Sequence, residues 1–264
     1  MNKTKIEWCD MTWNPVTGCL HECEYCYARK MAYRFREHDP YTGSYDAHII
    51  PIEFNVRHYL LEIGKIGCRH ENEKILYPNG FDPTFHRYRL DEPSQIKKSQ
   101  NVFVCSMADL FGEWVPDEWI ERVFEACEAA PQHRYLFLTK NPKRYLDLYT
   151  KCVPDEKLWF GTSITGNTTV FPSSKSHNFF LSIEPLLTPM RFLDLEGIRW
   201  VIIGAETGNR KGKVIPKREW IENIVNYCRE KNVPVFMKDS LADIWKLPLI
   251  QEYPWRDKWD ELEL

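Results

Sequence analysis

Six short runs of apolar residues from residue 101 onward constrain the fold more than any other feature of the chain. They are unbroken rather than alternating with polar residues, and they cover 101–107, 134–139, 158–164, 178–184, 199–205 and 233–238. Continuous apolar runs of this length are typical of strands buried on both faces of a parallel sheet. Segments with helical spacing lie between them, at 115–130, 141–151 and 216–231. Repeated strand–helix units predict an α/β protein, either a barrel or a doubly wound sheet.

Two segments depart from this alternation. Residues 165–178 are rich in Ser, Thr, Asn, Gly and Pro, where a barrel would normally carry a crossover helix. Residues 39–100 form a mixed stretch rich in Tyr and His, with at least one helix candidate, at 52–65. We interpret 39–100 as an insertion rather than an independent domain, so the sequence predicts a single domain over 1–264.

The overall composition predicts a cytoplasmic protein without a membrane segment. The 264 residues carry a net charge of −3, so any binding of nucleic acid would depend on local basic patches. No apolar run approaches the roughly 18 residues of a membrane span, and the first residues lack the apolar core of a signal peptide. In a reducing compartment the nine cysteines are expected to be free thiols or ligands rather than disulfides.

Three of these cysteines are crowded into a single short segment. Cys19, Cys23 and Cys26 form the pattern C-x3-C-x2-C, with Gly18 before the first and Tyr25 before the last. Three thiolates on one tight loop can bind three irons of a [4Fe–4S] cubane and leave the fourth iron open. Chelation by the amino and carboxylate groups of S-adenosylmethionine requires such an open iron. The spacing therefore favours a [4Fe–4S] cluster with an iron open to such a ligand, and a helix candidate follows at 27–37.

A zinc site is the main alternative for this segment. Structural zinc usually takes four ligands, often from two C-x2-C pairs, and the chain has one such pair at Cys23 and Cys26. His21 inside the loop or Cys9 before it could complete a four-ligand set. A cluster of inert thiols is a further alternative.

The motif also carries a family resemblance. C-x3-C-x2-C with an aromatic residue before the last cysteine is the signature of the radical S-adenosylmethionine superfamily. Within it, the chain resembles the phage- and prophage-associated three-cysteine-motif proteins, a group without an assigned reaction, in the stretches 8–19, 105–116, 136–145, 182–187, 200–208 and 233–241. The resemblance implies a partial (β/α)6 barrel, a [4Fe–4S] cluster on the three cysteines, S-adenosylmethionine and an external electron donor. The superfamily's Gly-Gly-Glu stretch is absent, and residues 106–109 occupy its place.

Polar side chains follow most of the predicted strands. In a barrel of this type the site lies at the carboxyl ends of the strands, where acids could bind ribose hydroxyls or the methionyl ammonium and lysines its carboxylate. The proposed cofactor-binding residues are Tyr25, which the motif places against the adenine, and the strand-end residues Ser106, Asp109, Lys140, Ser163, Glu184, Glu206 and Lys238. Glu184 and Glu206 are the preferred partners of the two lysines, because buried lysines need a counter-charge. Helix capping is the alternative for Asp109 and Ser163.

Basic residues collect in three stretches, at 29–36, 86–98 and 210–218, and aromatic residues are interleaved in the first two. Such surfaces can bind nucleic acid through phosphate contacts and base stacking, although ordinary solvated surface has the same composition. We expect a nucleotide or nucleic acid as the substrate of a modification or repair enzyme. The alternatives are a radical enzyme acting on a peptide or small metabolite, and a zinc-stabilised nucleic-acid-binding protein without catalysis.

Overall fold

The computed structural model describes residues 1–35, 45–51, 59–66, 77, 80–148, 156–166, 177–190 and 195–256. The chain divides into two compact units. Unit 1 comprises Met1–Lys5 and Cys9–Arg144, and unit 2 comprises Ile6–Trp8 and Tyr145–Leu264. In the described ranges no helix is both long and apolar enough to span a bilayer.

Unit 1 contains two sheets. In chain order its elements are β1 (Asn2–Lys3), β2 (Met11–Trp13), β3 (Val16–Thr17), α1 (Tyr27–Arg34), β4 (Tyr45–Pro51), β5 (Tyr59–Ile66), β6 (Thr84–His86), β7 (Asn101–Val104), α2 (Asp117–Glu128) and β8 (Arg134–Thr139). In one sheet β7 pairs in parallel with β2 and β8, and β1 pairs antiparallel with β2. The other sheet has the order β3-β6-β5-β4, with β5 and β6 parallel. The parallel pairing of β7 with β8 brings the ends of both strands to one edge, where most of the candidate site of this unit lies.

Unit 2 is built on parallel strands. The remaining elements of the chain are α3 (Lys143–Leu148), β9 (Leu158–Ile164), β10 (Asn178–Ile183), β11 (Ile198–Ile203), α4 (Arg218–Glu230), β12 (Val235–Met237) and α5 (Ala242–Trp245). The described strands pair in the order β9-β10-β11-β12, and every pairing is parallel. All residues of β10 are buried, which explains its unbroken apolar sequence.

The core of unit 2 is aromatic. Trp200 is fully buried, and the ring centres of Phe180, Phe236 and Trp255 lie 5.7, 6.0 and 5.1 Å from its own. Gly161 in β9 is required here, because a Cβ at that position would come within 2.2 Å of the Phe180 ring. Burial of each such side chain stabilises the fold by about 1.5–3 kcal/mol, so this core holds the strands that carry the unit's polar residues.

Helices α2 and α4 follow the spacing seen in the sequence. α2 begins after Pro116, and Asp117 and Glu118 lie in its first turn, where acids interact favourably with the positive end of the helix dipole. Apolar side chains recur on one face of each helix and are buried: Trp119, Ile120, Val123, Phe124 and Cys127 in α2, and Ile221, Ile224, Val225 and Cys228 in α4. Both helices are therefore amphipathic crossover helices.

The predicted α/β class is confirmed. Each of the six predicted strands is present, with ends that differ by a few residues, and helices lie between strands along the chain. Within each unit the strands of the parallel sheet form an open row rather than a closed ring. The partial (β/α)6 barrel and the single domain over 1–264 stay predictions.

The helix predicted at 52–65 is wrong where the structure describes it. Residues 59–66 form β5, which pairs with β4 and β6. Ile63, Gly64 and Ile66 have low helix propensity, and pairing with two strands decides the conformation of a short apolar run that spacing alone leaves ambiguous. Residues 52–58, the greater part of the 165–178 segment and the end of the helix predicted at 27–37 lie outside the described residues.

Candidate metal centre

The cysteine loop starts at a fixed point of the backbone. The Gly18 N–H donates to the Met107 carbonyl at 2.9 Å, and the Cys19 N–H donates to the Phe81 carbonyl at 3.0 Å. Gly18 has a φ of +89°, and a Cβ there would lie 2.3 Å from the Asp82 carbonyl oxygen. Only glycine satisfies both the backbone angle and the close approach. The first cysteine is thereby placed by the protein chain itself.

The loop ends at the start of α1. Glu22 has a φ of 55°, which turns the chain, and the Cys26 N–H donates to the Cys23 carbonyl at 3.1 Å. Cys26 is the N-cap of α1, where its Sγ accepts a hydrogen bond from the Arg29 N–H at 3.3 Å. The cap therefore fixes the Cys26 sulfur at the start of α1, with the other end of the loop fixed at Gly18.

The Cys19 thiol lies within the electrostatic influence of the other two cysteines. Cys19, Cys23 and Cys26 are free and half-buried. Burial raises the pKa of Cys19 to about 12, the Asp109, Cys23 and Cys26 charges raise it further, and a hydrogen bond from the His21 backbone opposes the rise. A cation among the sulfurs would relieve this mutual repulsion of negative charges.

The donor set fits an iron–sulfur cluster by its chemistry. Cysteine thiolates on one loop are the ligands that such clusters take. Among the described residues, no three side chains of His, Cys, Asp or Glu are grouped as they would be around a single metal ion. The cysteines of a cubane each bind a different iron, so their sulfurs do not have to meet at one point. Cys19, Cys23 and Cys26 would hold the cluster.

Asp109 makes four hydrogen bonds beside the loop. It lies after β7 and is 5% exposed. Its Oδ1 accepts from the Phe111 N–H at 3.0 Å and from the Thr139 hydroxyl at 2.6 Å. Its Oδ2 accepts from the Lys140 N–H at 2.9 Å and lies 2.7 Å from His21 Nε2. The carboxylate therefore holds the end of β8 and the cysteine loop together.

His21 is fixed on a second side by Trp114. The two rings meet edge to face, with centres 4.8 Å apart. The indole can lie there because residue 112 is glycine. A Cβ added at that position would come within 2.4 Å of the Trp114 ring. The Trp114 Nε1 is buried and has no hydrogen-bond partner among the described residues. The imidazole of His21 is thus held in one orientation between a carboxylate and an indole.

The remaining predicted site residues of unit 1 also lie against the loop. The Lys140 ammonium stands 5.6 Å from the centre of the Tyr25 ring, within the range of a cation–π contact. Ser106 donates from its hydroxyl to Asn14 Oδ1 at 3.2 Å, and its carbonyl accepts from the Tyr27 hydroxyl at 3.1 Å. The structure therefore places Lys140 beside Tyr25, Asp109 against His21 of the loop, and Ser106 against Asn14 and Tyr27 on either side of the loop. Their role in binding a cofactor stays a prediction.

In unit 2, a lysine and two glutamates form a charged group at the strand ends. Lys238 Nζ forms an ion pair with Glu184 and lies 3.7 Å from Glu7 Oε2. Burial alone would lower the pKa of Lys238, but the two carboxylates raise it overall, Glu184 more than Glu7. Gly204 makes room for the pair, since a Cβ there would lie 3.0 Å from Lys238 Cδ and 3.2 Å from Glu184 Cγ. The predicted pairing of Glu184 with a strand-end lysine is confirmed.

Glu206 has a different partner from the one predicted. Its two carboxylate oxygens bind Arg210 Nε at 2.6 Å and Nη2 at 2.8 Å, which lowers the pKa of Glu206. The arginine is four residues away and forms a bidentate pair, a geometry that a lysine cannot match. Ser163 in β9 lies opposite Ser182 in β10, whose buried hydroxyl has no hydrogen-bond partner among the described residues.

The basic stretches differ in how many of their charges pair locally. In 210–218, Arg210 binds Glu206 and Arg218 binds Glu222 at 2.8 Å. In α1, by contrast, Lys30 and Arg34 lie on the exposed face, and Tyr27, Tyr33 and Phe35 are 51%, 49% and 53% exposed. The surface formed by these five residues follows the cysteine loop directly, and we call it the α1 face.

A family model described as "Protein of unknown function (DUF5131)" matches residues 3–242. The chain belongs to this family. The matched range contains every side chain of the two groups described above, from Glu7 to Lys238. No curated protein and no solved structure matches the chain.

Three residues of this DUF5131 chain fall outside the predicted site residues. The sequence indicates His21 only as an alternative zinc ligand. Its position inside the cysteine motif is the one sequence signal that it belongs to the site. Trp114 and Glu7 lie far in sequence from the residues they contact. The pairing of His21 with Asp109 spans 88 residues, so it depends on tertiary structure that periodicity does not reveal.

Proposed function

We propose that this DUF5131 protein is a radical S-adenosylmethionine enzyme with one [4Fe–4S] cluster. The observation that carries the proposal is the cysteine loop: three half-buried thiols in the C-x3-C-x2-C spacing, on a segment fixed by Gly18 and ended by a helix cap. The resemblance to the three-cysteine-motif proteins agrees with this proposal. We also propose a partial (β/α)6 barrel and a single domain over 1–264. The free thiols described here suit a reducing compartment, so we also propose a cytoplasmic location.

Cys19, Cys23 and Cys26 would hold the cluster. When bound and reduced by an external electron donor, the cluster supplies the reductive cleavage of S-adenosylmethionine to a 5′-deoxyadenosyl radical. The protein's own residues position the cofactors. Tyr25 offers an aromatic face beside the last cysteine, and Lys140 adds a positive charge within 5.6 Å of that ring. These two are our proposed contacts for the adenine and the carboxylate.

Other predicted contacts differ in how available their polar atoms are. The Asp109 carboxylate accepts four hydrogen bonds from the protein, so we propose that it positions His21 and Lys140 rather than binding S-adenosylmethionine directly. Glu206 is bound at both oxygens by Arg210. For Ser106, Ser163, Glu184 and Lys238 the proposal of cofactor contact rests on the resemblance and on their places at strand ends.

The α1 face supports a nucleotide or nucleic acid as the substrate. Tyr27, Tyr33 and Phe35 present exposed rings for base stacking, and Lys30 and Arg34 present charges for phosphates. This surface begins one residue after Cys26, beside the proposed cluster. We therefore propose that single-stranded nucleic acid binds to the α1 face for a modification or repair reaction.

The cofactor proposal is tested by anaerobic purification and analysis of iron and acid-labile sulfide. We expect about four irons and four sulfides per chain, and 5′-deoxyadenosine after reduction in the presence of S-adenosylmethionine. Cys23→Ala should abolish both signals, whereas Cys228→Ala, which removes a buried thiol of α4, should retain them. One equivalent of zinc without sulfide would reject the proposal.

The substrate proposal is tested by fluorescence anisotropy with a labelled single-stranded oligonucleotide at several salt concentrations. Replacing Lys30 and Arg34 by Gln should weaken binding and reduce the slope of log affinity against log salt by about 1.4, since each lost phosphate contact accounts for about 0.7. Replacing Lys211 and Lys217 by Gln removes the same charge elsewhere and serves as the control. Equal affinity of the α1 variant and the wild type would exclude this surface.

A further inference from the structure

His21 is held between two of the proposed cluster ligands. Its backbone opposes the rise in the pKa of Cys19, and its carbonyl lies 4.0 Å from the Cys23 Sγ, which donates to it. Its ring Nε2 lies 2.7 Å from Asp109 Oδ2. The side chain is 23% exposed, so the ring is neither buried in the core nor free in solvent.

The contact with Asp109 fixes which ring nitrogen carries the proton. An ionised carboxylate can only accept hydrogen bonds, and this one already accepts from Phe111, Thr139 and Lys140. In a neutral imidazole the proton is therefore on Nε2, and Nδ1 retains its lone pair. Metal-binding histidines almost always have this arrangement, in which the second ring nitrogen donates to a carboxylate that orients the ring and makes it more basic.

Trp114 adds an independent constraint. Its ring packs edge to face against His21, which limits rotation of the imidazole. Its buried Nε1 has no hydrogen-bond acceptor in the described parts of the chain. An indole N–H is a donor only, so it would suit an acceptor such as a sulfide of the proposed cluster.

We propose that His21 is a fourth, exchangeable ligand, whose Nδ1 binds the iron that Cys19, Cys23 and Cys26 leave open until S-adenosylmethionine displaces it. This inference rests on the proposed function. The step is a ligand exchange: the imidazole leaves as a neutral group, keeps its hydrogen bond to Asp109, and no electron or proton is transferred. While it is bound, in the absence of S-adenosylmethionine, the imidazole would protect the iron that the cysteines leave open.

The test measures a nitrogen next to the cluster rather than activity. Protein labelled with ¹⁵N-histidine is purified anaerobically, reduced without S-adenosylmethionine, and examined by pulsed EPR. We expect a strongly coupled ¹⁵N, which unlabelled S-adenosylmethionine removes. His21→Gln should lack the coupling yet keep its iron, because the glutamine amide can still donate to Asp109. If His21 occupies the iron nine-tenths of the time, His21→Gln should bind S-adenosylmethionine about tenfold more tightly.

The outcomes separate this inference from the proposed function. A cluster with a histidine coupling that disappears in His21→Gln supports both. A cluster without such a coupling shows that His21 only fixes the loop, which overturns the inference and leaves the radical enzyme standing. Protein purified without iron and sulfide overturns the proposed function together with the inference.

Discussion

Asp109→Asn is the substitution for which the structure makes the sharpest prediction. The asparagine amide has two orientations, and each puts its NH₂ where a carboxylate oxygen now accepts a backbone N–H. That N–H belongs to Phe111 in one orientation and to Lys140 in the other. The Thr139 hydroxyl and the His21 imidazole can switch to accepting, but a backbone N–H cannot. One buried unpaired N–H costs about 1–3 kcal/mol, and the loss of the charge from the other bonds adds about 1 kcal/mol. We therefore expect a loss of about 2–4 kcal/mol.

The assay is urea unfolding of metal-free protein at pH 7, followed by tryptophan fluorescence. The midpoint should fall while the slope stays unchanged, since the surface exposed on unfolding is the same. Asp117→Asn is the matched control, because its side chain is 64% exposed and pairs with Arg144 at the surface. That change should cost about 1 kcal/mol or less. Asp109→Asn within about 1 kcal/mol of the wild type would refute the hydrogen-bond assignment.

Three further changes probe other parts of the two units. Gly18→Ala should destabilise the protein by at least about 2 kcal/mol more than Gly208→Ala in the same urea assay. Both glycines have positive φ, but only at Gly18 would the new Cβ meet backbone, at 2.3 Å. Equal losses of stability would contradict the close approach at Gly18. Burial raises the pKa of Cys228 from 9.0 to about 12, so its thiol ionises first in the unfolded chain and its stabilising contribution is lost as pH rises above 9. At pH 10 the loss is about 1.4 kcal/mol relative to pH 8, and Cys228→Ala should lack this part of the pH dependence. Lys238→Met leaves the Glu184 carboxylate without its buried counter-charge and should cost about 3 kcal/mol, whereas an unchanged midpoint would mean that the ion pair contributes little.

The fold from residue 101 onward was predictable because its strands are buried on both faces. β10 is the extreme case, in which every residue is buried and the sequence is an unbroken apolar run. β2 has only three residues, and its partner β7 lies about ninety residues later, so no local pattern marks it. The segment 59–66 shows the opposite failure, since its apolar spacing fits a helix and pairing with two strands overrides it.

The candidate site was predictable where it depends on strand ends. Parallel pairing of β7 with β8 requires the residues after these strands to be neighbours, and Asp109 indeed binds Thr139 and Lys140. Charge partners were harder to predict. Glu184 has the lysine that the sequence suggests, but Glu206 binds Arg210, and their spacing of four residues is a local signal of that pair.

The anchoring of the cysteine loop has a consequence for the behaviour of the protein in air. Gly18 and Cys19 are tied to Met107 and Phe81 by backbone hydrogen bonds, so the start of the loop does not rely on iron for its shape. Oxygen that dissolves the proposed cluster should therefore leave a folded polypeptide with its thiols still in place. Repair would then need only iron, sulfide and reductant, without a chaperone or new synthesis of the chain.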